Sequence, residues 1–192
     1  MLGTNWLVAT VAAGWIGAAS AAGSDAATRL PKLHVEHAAE IEAGTWMQQH
    51  ATSSKVKGFA RKMVKDHGAL DKELRAYAHQ HGVKLTGRTS TEDEKVHHAE
   101  ALDVLKKMRG PQADRTYLQM MVQDHTKDVN EVKAGAELAR QGSDADYSKL
   151  LDETAKTMES HLEDAQKILH EMVPRQARHP SASPAPPRNA PK

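Results

Sequence analysis

No cysteine occurs anywhere in the 192 residues. That absence removes disulfides, thiolate metal sites, a cysteine nucleophile and lipid attachment through a lipobox cysteine. Aromatic residues are 4% of the chain, too few for a sandwich or barrel whose strands rely on aromatic and β-branched side chains. Neither sign of charge dominates, since 26 Lys and Arg balance 25 Asp and Glu to a formal charge of +1. Such a balance argues against nucleic acid as a partner. A Gly-rich phosphate loop, a His-Glu-x-x-His zinc-protease motif and a serine-nucleophile motif are also missing, which leaves hydrolase and nucleotide-binding readings without a foundation.

What is present is helical. Ala, Lys, Glu, Leu and Met favour helices, and 192 residues with 39% hydrophobic content suffice for one domain with a core. The two ends stand apart. In residues 1–22, an apolar run from Trp6 to Ala19 leads into Ala18-Ala-Ser-Ala-Ala-Gly23. Cleavage after Ala21 fits the small-residue pattern of a secretory signal, although Met1 to Thr10 carries no Lys or Arg; an uncleaved anchor is the alternative. Residues 174–192 hold most of the eight prolines together with Arg175, Arg178, Arg188 and Lys192. This stretch reads as a disordered, mildly basic tail, capable of weak contact with an envelope or membrane surface.

Between the ends, apolar residues recur at helical spacing. A first long helix is expected from about Pro31 to Ala51, facing inward through Leu33, His37, Ile41 or Glu40, Gly44 and Met47. A second follows Thr52-Ser53-Ser54, with Val56, Ala60, Met63, His67, Leu70, Leu74 and Tyr77 as its seam, and Gly82 ends it. A shorter helix opens on the capping-box pattern Thr91-Glu-Asp-Glu94 and turns Val96, Ala99, Leu102, Leu105 and Met108 inward. Two more long helices, from about Gln112 to Gln141 and on to about Met172, carry seams that include His125 and His161. Four amphipathic helices bury their stripes most simply as an all-α four-helix bundle. The short first and last connections make antiparallel hairpins, while the long middle one returns the chain along the bundle. The expected order is up-down-down-up, ferritin-like, with the short helix in the crossover.

Two segments nearly repeat one another: Phe59-Ala-Arg-Lys-Met-Val-Lys-Asp-His67 and Tyr117-Leu-Gln-Met-Met-Val-Gln-Asp-His125. Each sets a histidine on an apolar stripe, where a neutral imidazole needs a partner and is the commonest protein metal ligand. His37 and His67 each stand 15 residues from position 52, and His125 and His161 stand 17 and 19 from position 142. At about 1.5 Å per residue, each hairpin therefore matches the heights of its two histidines to within roughly 3 Å. Glu40, Asp66 and Asp124 accompany them as ligands or as carboxylates holding the second ring nitrogen, and Asp71 and Asp128 follow within a turn. Met63, Met121 and Met158 precede the histidines by three or four residues. A His layer beside a Met layer suits copper, and His with Asp or Glu suits zinc or iron. Methionine at helical spacing is equally core filler, and His97, His98, His79 and His81 read as solvated.

Ala39-Glu-Ile-Glu-Ala-Gly44, Val56-Lys-Gly-Phe-Ala60, the two Met-Val-x-Asp-His motifs, Asp114-Arg-x-Tyr117 and His161-Leu162 together resemble the DUF4142 family. That group comprises exported bacterial proteins of unassigned function with a ferritin-like four-helix domain, often labelled as outer-membrane proteins. The likeness spans roughly residues 33–172. It implies export to the periplasm or outer membrane, and it points to Glu40, Asp66, His67, Asp124, His125 and His161; His37 enters from spacing alone. Di-iron ferritins need Glu-x-x-His pairs on two helices, and the last three long helices carry none at the histidine level, which disfavours ferroxidase chemistry. The expected function is transition-metal binding in the bundle core, with zinc, copper or iron as candidates, for envelope metal handling or stress protection. A structural module with a buried His–Asp/Glu hydrogen-bond network is the alternative, and a metal-dependent redox or hydrolytic enzyme comes third because it requires an open coordination position. The oligomeric state is left open.

Overall fold

A computed structural model describes residues 16–86 and 89–172, with side chains over 23–86 and 92–172. The tail and most of the signal-like segment lie outside the described residues. The described residues form five helices: α1 Ile16–His50, α2 Ser54–Gln80, α3 Thr89–Lys107, α4 Gly110–Gln141 and α5 Ala145–Glu171. No strand occurs among the described residues, so the fold is all-helical. None of the described helices is long and apolar enough to cross a membrane.

The first helix departs from the expected start. Pro31 does not open α1 but lies inside it, although an interior proline removes a hydrogen bond and costs about 3 kcal/mol. Tertiary contacts hold the upstream turns. Ala26 and Leu30 are buried in one cluster with Ala139, Tyr147 and Leu151. Asp25 pairs with Arg29 at 2.7 Å, the Arg29 guanidinium donates to the Glu131 carbonyl at 2.7 Å, and the Tyr147 hydroxyl donates to Asp25 at 2.8 Å.

Helix α2 buries the expected seam. Its start is capped from elsewhere: Ser53 has extended backbone but makes no side-chain cap bond. The Asp114 carboxylate of α4 accepts instead from the amides of Thr52 and Ser53, at 3.0 and 2.8 Å, and from the Thr52 hydroxyl at 2.7 Å. Past α2, Gly82 takes the left-handed conformation (φ 66°) that closes a helix. Between α4 and α5 it is Ser143, not Gly142, that adopts positive φ, and Asp144 caps α5 by accepting from the Tyr147 amide. Asp144 also accepts from the Tyr77 hydroxyl at 2.7 Å.

Helix α3 packs beside α1 and buries Leu102 and Leu105. Val96, expected to face inward, is 59% exposed: α3 covers one side of a bundle already closed by four helices, so only a narrow stripe is buried. The side chains of 89–91, where its capping-box pattern begins, lie outside the described residues.

Two apolar clusters form the core. One, toward the α4–α5 turn, includes Leu30, Leu33, Leu74, Tyr147 and Met158. The other, toward the α1–α2 turn, includes Met47, Phe59, Met63, Tyr117 and Met121. Gly44 allows α1 and α2 to approach closely, since an added Cβ would lie 3.0 Å from Val64 Cγ2 and 3.1 Å from the Ala60 carbonyl. Glu36, His37, Glu40, His67, His125, Asp128 and His161, all buried, lie between these clusters along the chain.

Candidate metal centre

Each of the four long helices sends one fully buried histidine to this layer: His37 from α1, His67 from α2, His125 from α4 and His161 from α5, all 0% exposed. Their rings pack on one another, with centroids 5.0 Å apart for His37–His67 and His67–His161 and 5.4 Å for His67–His125 and His125–His161. The periodicity of each seam puts them inside, and equal distance from the turns puts them level.

Three ring nitrogens converge. His67 Nε2 lies 3.1 Å from His161 Nδ1, and His125 Nε2 lies 3.3 Å from that same atom. The far nitrogens face carboxylates: His161 Nε2 donates to Asp66 at 3.1 Å, His67 Nδ1 is 2.8 Å from Glu40 Oε2, and His125 Nδ1 is 3.3 Å from Glu40 Oε1. Neither Glu40 Oε2 nor His125 Nδ1 makes a hydrogen bond despite that proximity, because no ring N–H is aimed along the contact. On its other side, His67 Nδ1 lies 3.0 Å from His37 Nδ1.

Proton counting shows what the arrangement lacks. A neutral imidazole has one N–H and one lone pair. With its proton on Nε2 and donated to Asp66, His161 offers a single lone pair to two approaching nitrogens. It satisfies one well and leaves the other. Protons on the Glu40 side of His67 and His125 would leave three lone pairs facing one another, an arrangement that a cation relieves and an apolar core does not.

Burial controls the charge states. Desolvation pulls His67, His125 and His161 each down to about 4, and His37 well below its ordinary value. At neutral pH their lone pairs are therefore free of proton competition. Burial also pushes the Glu40 carboxyl above the usual carboxylate range, opposed by the attraction of His125.

Among the described residues, two groups of donor atoms have the spacing to hold a metal ion: His67, His125 and His161, and His37, Glu40 and His67. Of the expected residues, the fold thus brings together His37, Glu40, His67, His125 and His161, with Asp66 behind His161. Asp124 is elsewhere. It lines a small void of about 20 Å³ between α1, α3 and α4 with Glu40, His98 and Met121, enough for about one water. Burial, then the charge of Glu40, raises its carboxyl to about 6. The methionines do not form one layer: Met63 and Met121 belong to one apolar cluster and Met158 to the other. Asp71 pairs with His34 at 2.5 Å, away from the centre. His98, read as solvated, is half-buried beside Glu94.

A family model, Domain of unknown function (DUF4142), matches residues 15–168. The chain belongs to the DUF4142 family. No curated protein and no solved structure matches it. The matched span of this DUF4142 domain begins before Pro31, in keeping with the early start of α1.

Sequence reasoning missed two features. Glu36 is buried one turn before Glu40 on the same face of α1, a spacing that was there to be read; burial and the negative charge of Asp128 raise it to about 8, against the pull of Lys32. Tyr117 holds a buried hydroxyl with no partner, and nothing in its apolar seam distinguishes it from filler.

Proposed function

We propose that this DUF4142 protein binds a transition-metal ion through His67 Nε2, His125 Nε2 and His161 Nδ1. Asp66 steadies His161 by accepting its far N–H, as carboxylates behind metal-bound imidazoles commonly do, and the Glu40 carboxyl lies against the far nitrogens of His67 and His125. The observation that carries this reading is the meeting of three buried imidazole nitrogens, His67 Nε2 and His125 Nε2 lying 3.1 and 3.3 Å from His161 Nδ1. An all-nitrogen set suits zinc, copper or iron(II). The bound ion would supply Lewis-acid or redox character; the chain's own residues hold it, orient the rings and keep bulk water out. The reading is of metal handling or stress protection rather than catalysis.

Export to the periplasm or outer membrane is part of the proposal, supported by the small-residue pattern ending at Ala21. Contact of the basic tail with an envelope surface belongs to the same reading. We also infer the ferritin-like up-down-down-up order: Thr52 beside Asp114 joins the starts of α2 and α4, and Tyr77 beside Asp144 joins their ends.

The test is metal analysis of untagged protein purified from its own envelope fraction and after titration with Zn(II). One tightly held equivalent that disappears in His125→Ala and His161→Ala supports the proposal. A second reading, a metal-free network fixing helix register, is favoured by ring nitrogens at hydrogen-bond distance. Under it, wild type holds no metal, and the same changes lower only the melting temperature.

A further inference from the structure

The two donor groups share one residue, and they share it through different atoms. His67 Nε2 faces His125 and His161, whereas His67 Nδ1 faces His37 Nδ1 at 3.0 Å and Glu40 Oε2 at 2.8 Å. We propose that His67 bridges two metal ions, one in the three-histidine site and one held by His37, Glu40 and His67 Nδ1. This rests on the metal-binding reading above and extends it from a mononuclear to a dinuclear centre.

Two observations carry the second site. His37 is fully buried, has no charged residue bonded to it and leaves Nε2 without a partner. Glu40 Oε2 approaches His67 Nδ1 closely without accepting a hydrogen bond. An imidazole and a carboxylate therefore point at the free face of a ring whose opposite nitrogen is already committed. Neutral His67 has one proton for its two nitrogens, so one of the two donor groups always meets a bare lone pair and the other meets an N–H.

Charge favours two ions as well. On the Glu40 side, Glu36, Asp124 and Asp128 are within electrostatic reach of Glu40, with Lys32 facing Glu36 and Asp128 and Lys127 facing Asp124 and Asp128 as cations. A first divalent ion is matched by Glu40 and Asp66. A second takes Glu40 as a ligand and displaces the last ring proton of His67 to solvent. The bridge is then an imidazolate, and the surrounding carboxylates offset the added charge. With metal–nitrogen bonds of about 2.0–2.1 Å on both sides of one ring, the ions would stand on the order of 6 Å apart. Borderline ions that accept imidazolate, copper(II) and zinc(II), fit the donor set.

The experiment is a titration of untagged, full-length metal-free protein with Cu(II), followed by electron paramagnetic resonance and, in parallel, with Zn(II) followed by calorimetry. The expected result is two tight equivalents, with a copper signal that grows through the first and falls through the second as the bridged spins couple. His37→Gln should bind one equivalent with an uncoupled signal. His161→Gln should abolish coupling while leaving the His37 side able to bind. A single equivalent in wild type, lost in His161→Gln and unchanged in His37→Gln, overturns the bridge and leaves the mononuclear reading standing. No tight equivalent overturns both. Two equivalents with full, uncoupled intensity overturn the bridge, since the second ion then sits on surface histidines. Should His37→Gln fail to fold by circular dichroism, the wild-type coupling alone decides.

Discussion

Replacing Asp114 by Ala should destabilise the protein far more than its distance from the histidines suggests. The carboxylate is 1% exposed and takes three donors at the α1–α2 turn: the amides of Thr52 and of the N-cap Ser53, and the Thr52 hydroxyl. Bonds to a buried charge are worth about 1.5–3 kcal/mol each. Thr52 is exposed and Ser53 half-buried, so water recovers part of the loss, and about 1 kcal/mol per donor is the fitting scale for a cap. The total is about 3 kcal/mol, or roughly 6–12 °C in melting temperature for a domain of this size. Asp114→Asn keeps one acceptor oxygen and should lose about half as much. Thr52→Val should cost about 1 kcal/mol alone and, because it shares the same bond, almost nothing on top of Asp114→Ala. Thermal melts of the four proteins by circular dichroism check this. If Asp114→Ala falls within the roughly 0.5 kcal/mol of a surface change, or if Thr52→Val adds its full cost to it, a cap supplied from across the bundle is the wrong account.

Two glycines should respond in opposite directions: Gly44→Ala pushes a Cβ against the Ala60 carbonyl and lowers stability by about 1–3 kcal/mol. Gly68→Ala meets nothing within 4 Å and raises it by about 0.5–1 kcal/mol; urea unfolding of both reads the signs. In the metal-free protein, Glu36 and Asp128 have folded values raised to about 8 and about 7, so the folded state holds the extra protons and stability falls as pH rises toward 8. Glu36→Gln should flatten that fall between about pH 5 and 8 and melt above wild type at pH 8.5; an unchanged pH profile would dismiss the buried carboxyl as its source. A chain beginning at Pro31 loses Leu30, Ala26 and the Asp25–Arg29–Tyr147 contacts. Its melting temperature should drop by roughly 10 °C or more on the scale of a lost core leucine.

Helix number, and most of the inward faces, could be read directly, because a 3.6-residue period leaves its mark on every seam: Val56 to Tyr77 in α2 and Leu151 to Ala165 in α5 are buried as spaced. The convergence of His37, His67, His125 and His161 followed from seam position plus distance to a turn, both local quantities. Three things did not. The start of α1 was misplaced because Pro31 locally favours a helix start, and only tertiary contacts of Asp25, Arg29 and Leu30 with Tyr147 and Glu131 carry the helix through it. The cap on α2 belongs to Asp114, sixty residues downstream in round terms, and no local pattern distinguishes that aspartate from one in solvent. Val96 lies on the same stripe as Leu102 yet faces water, since what α3 buries depends on how much of the bundle was already closed.

The sequence by itself determined which residues face the core and at what height along each rod, since both depend only on helical geometry. Tertiary structure alone decided what those residues touch. It set His67 with one nitrogen toward His161 and the other toward His37 and Glu40, and it turned Asp124 away toward α3. The rotation of a helix about its axis, and the choice between two nitrogens of one ring, are settled by close packing among four neighbours.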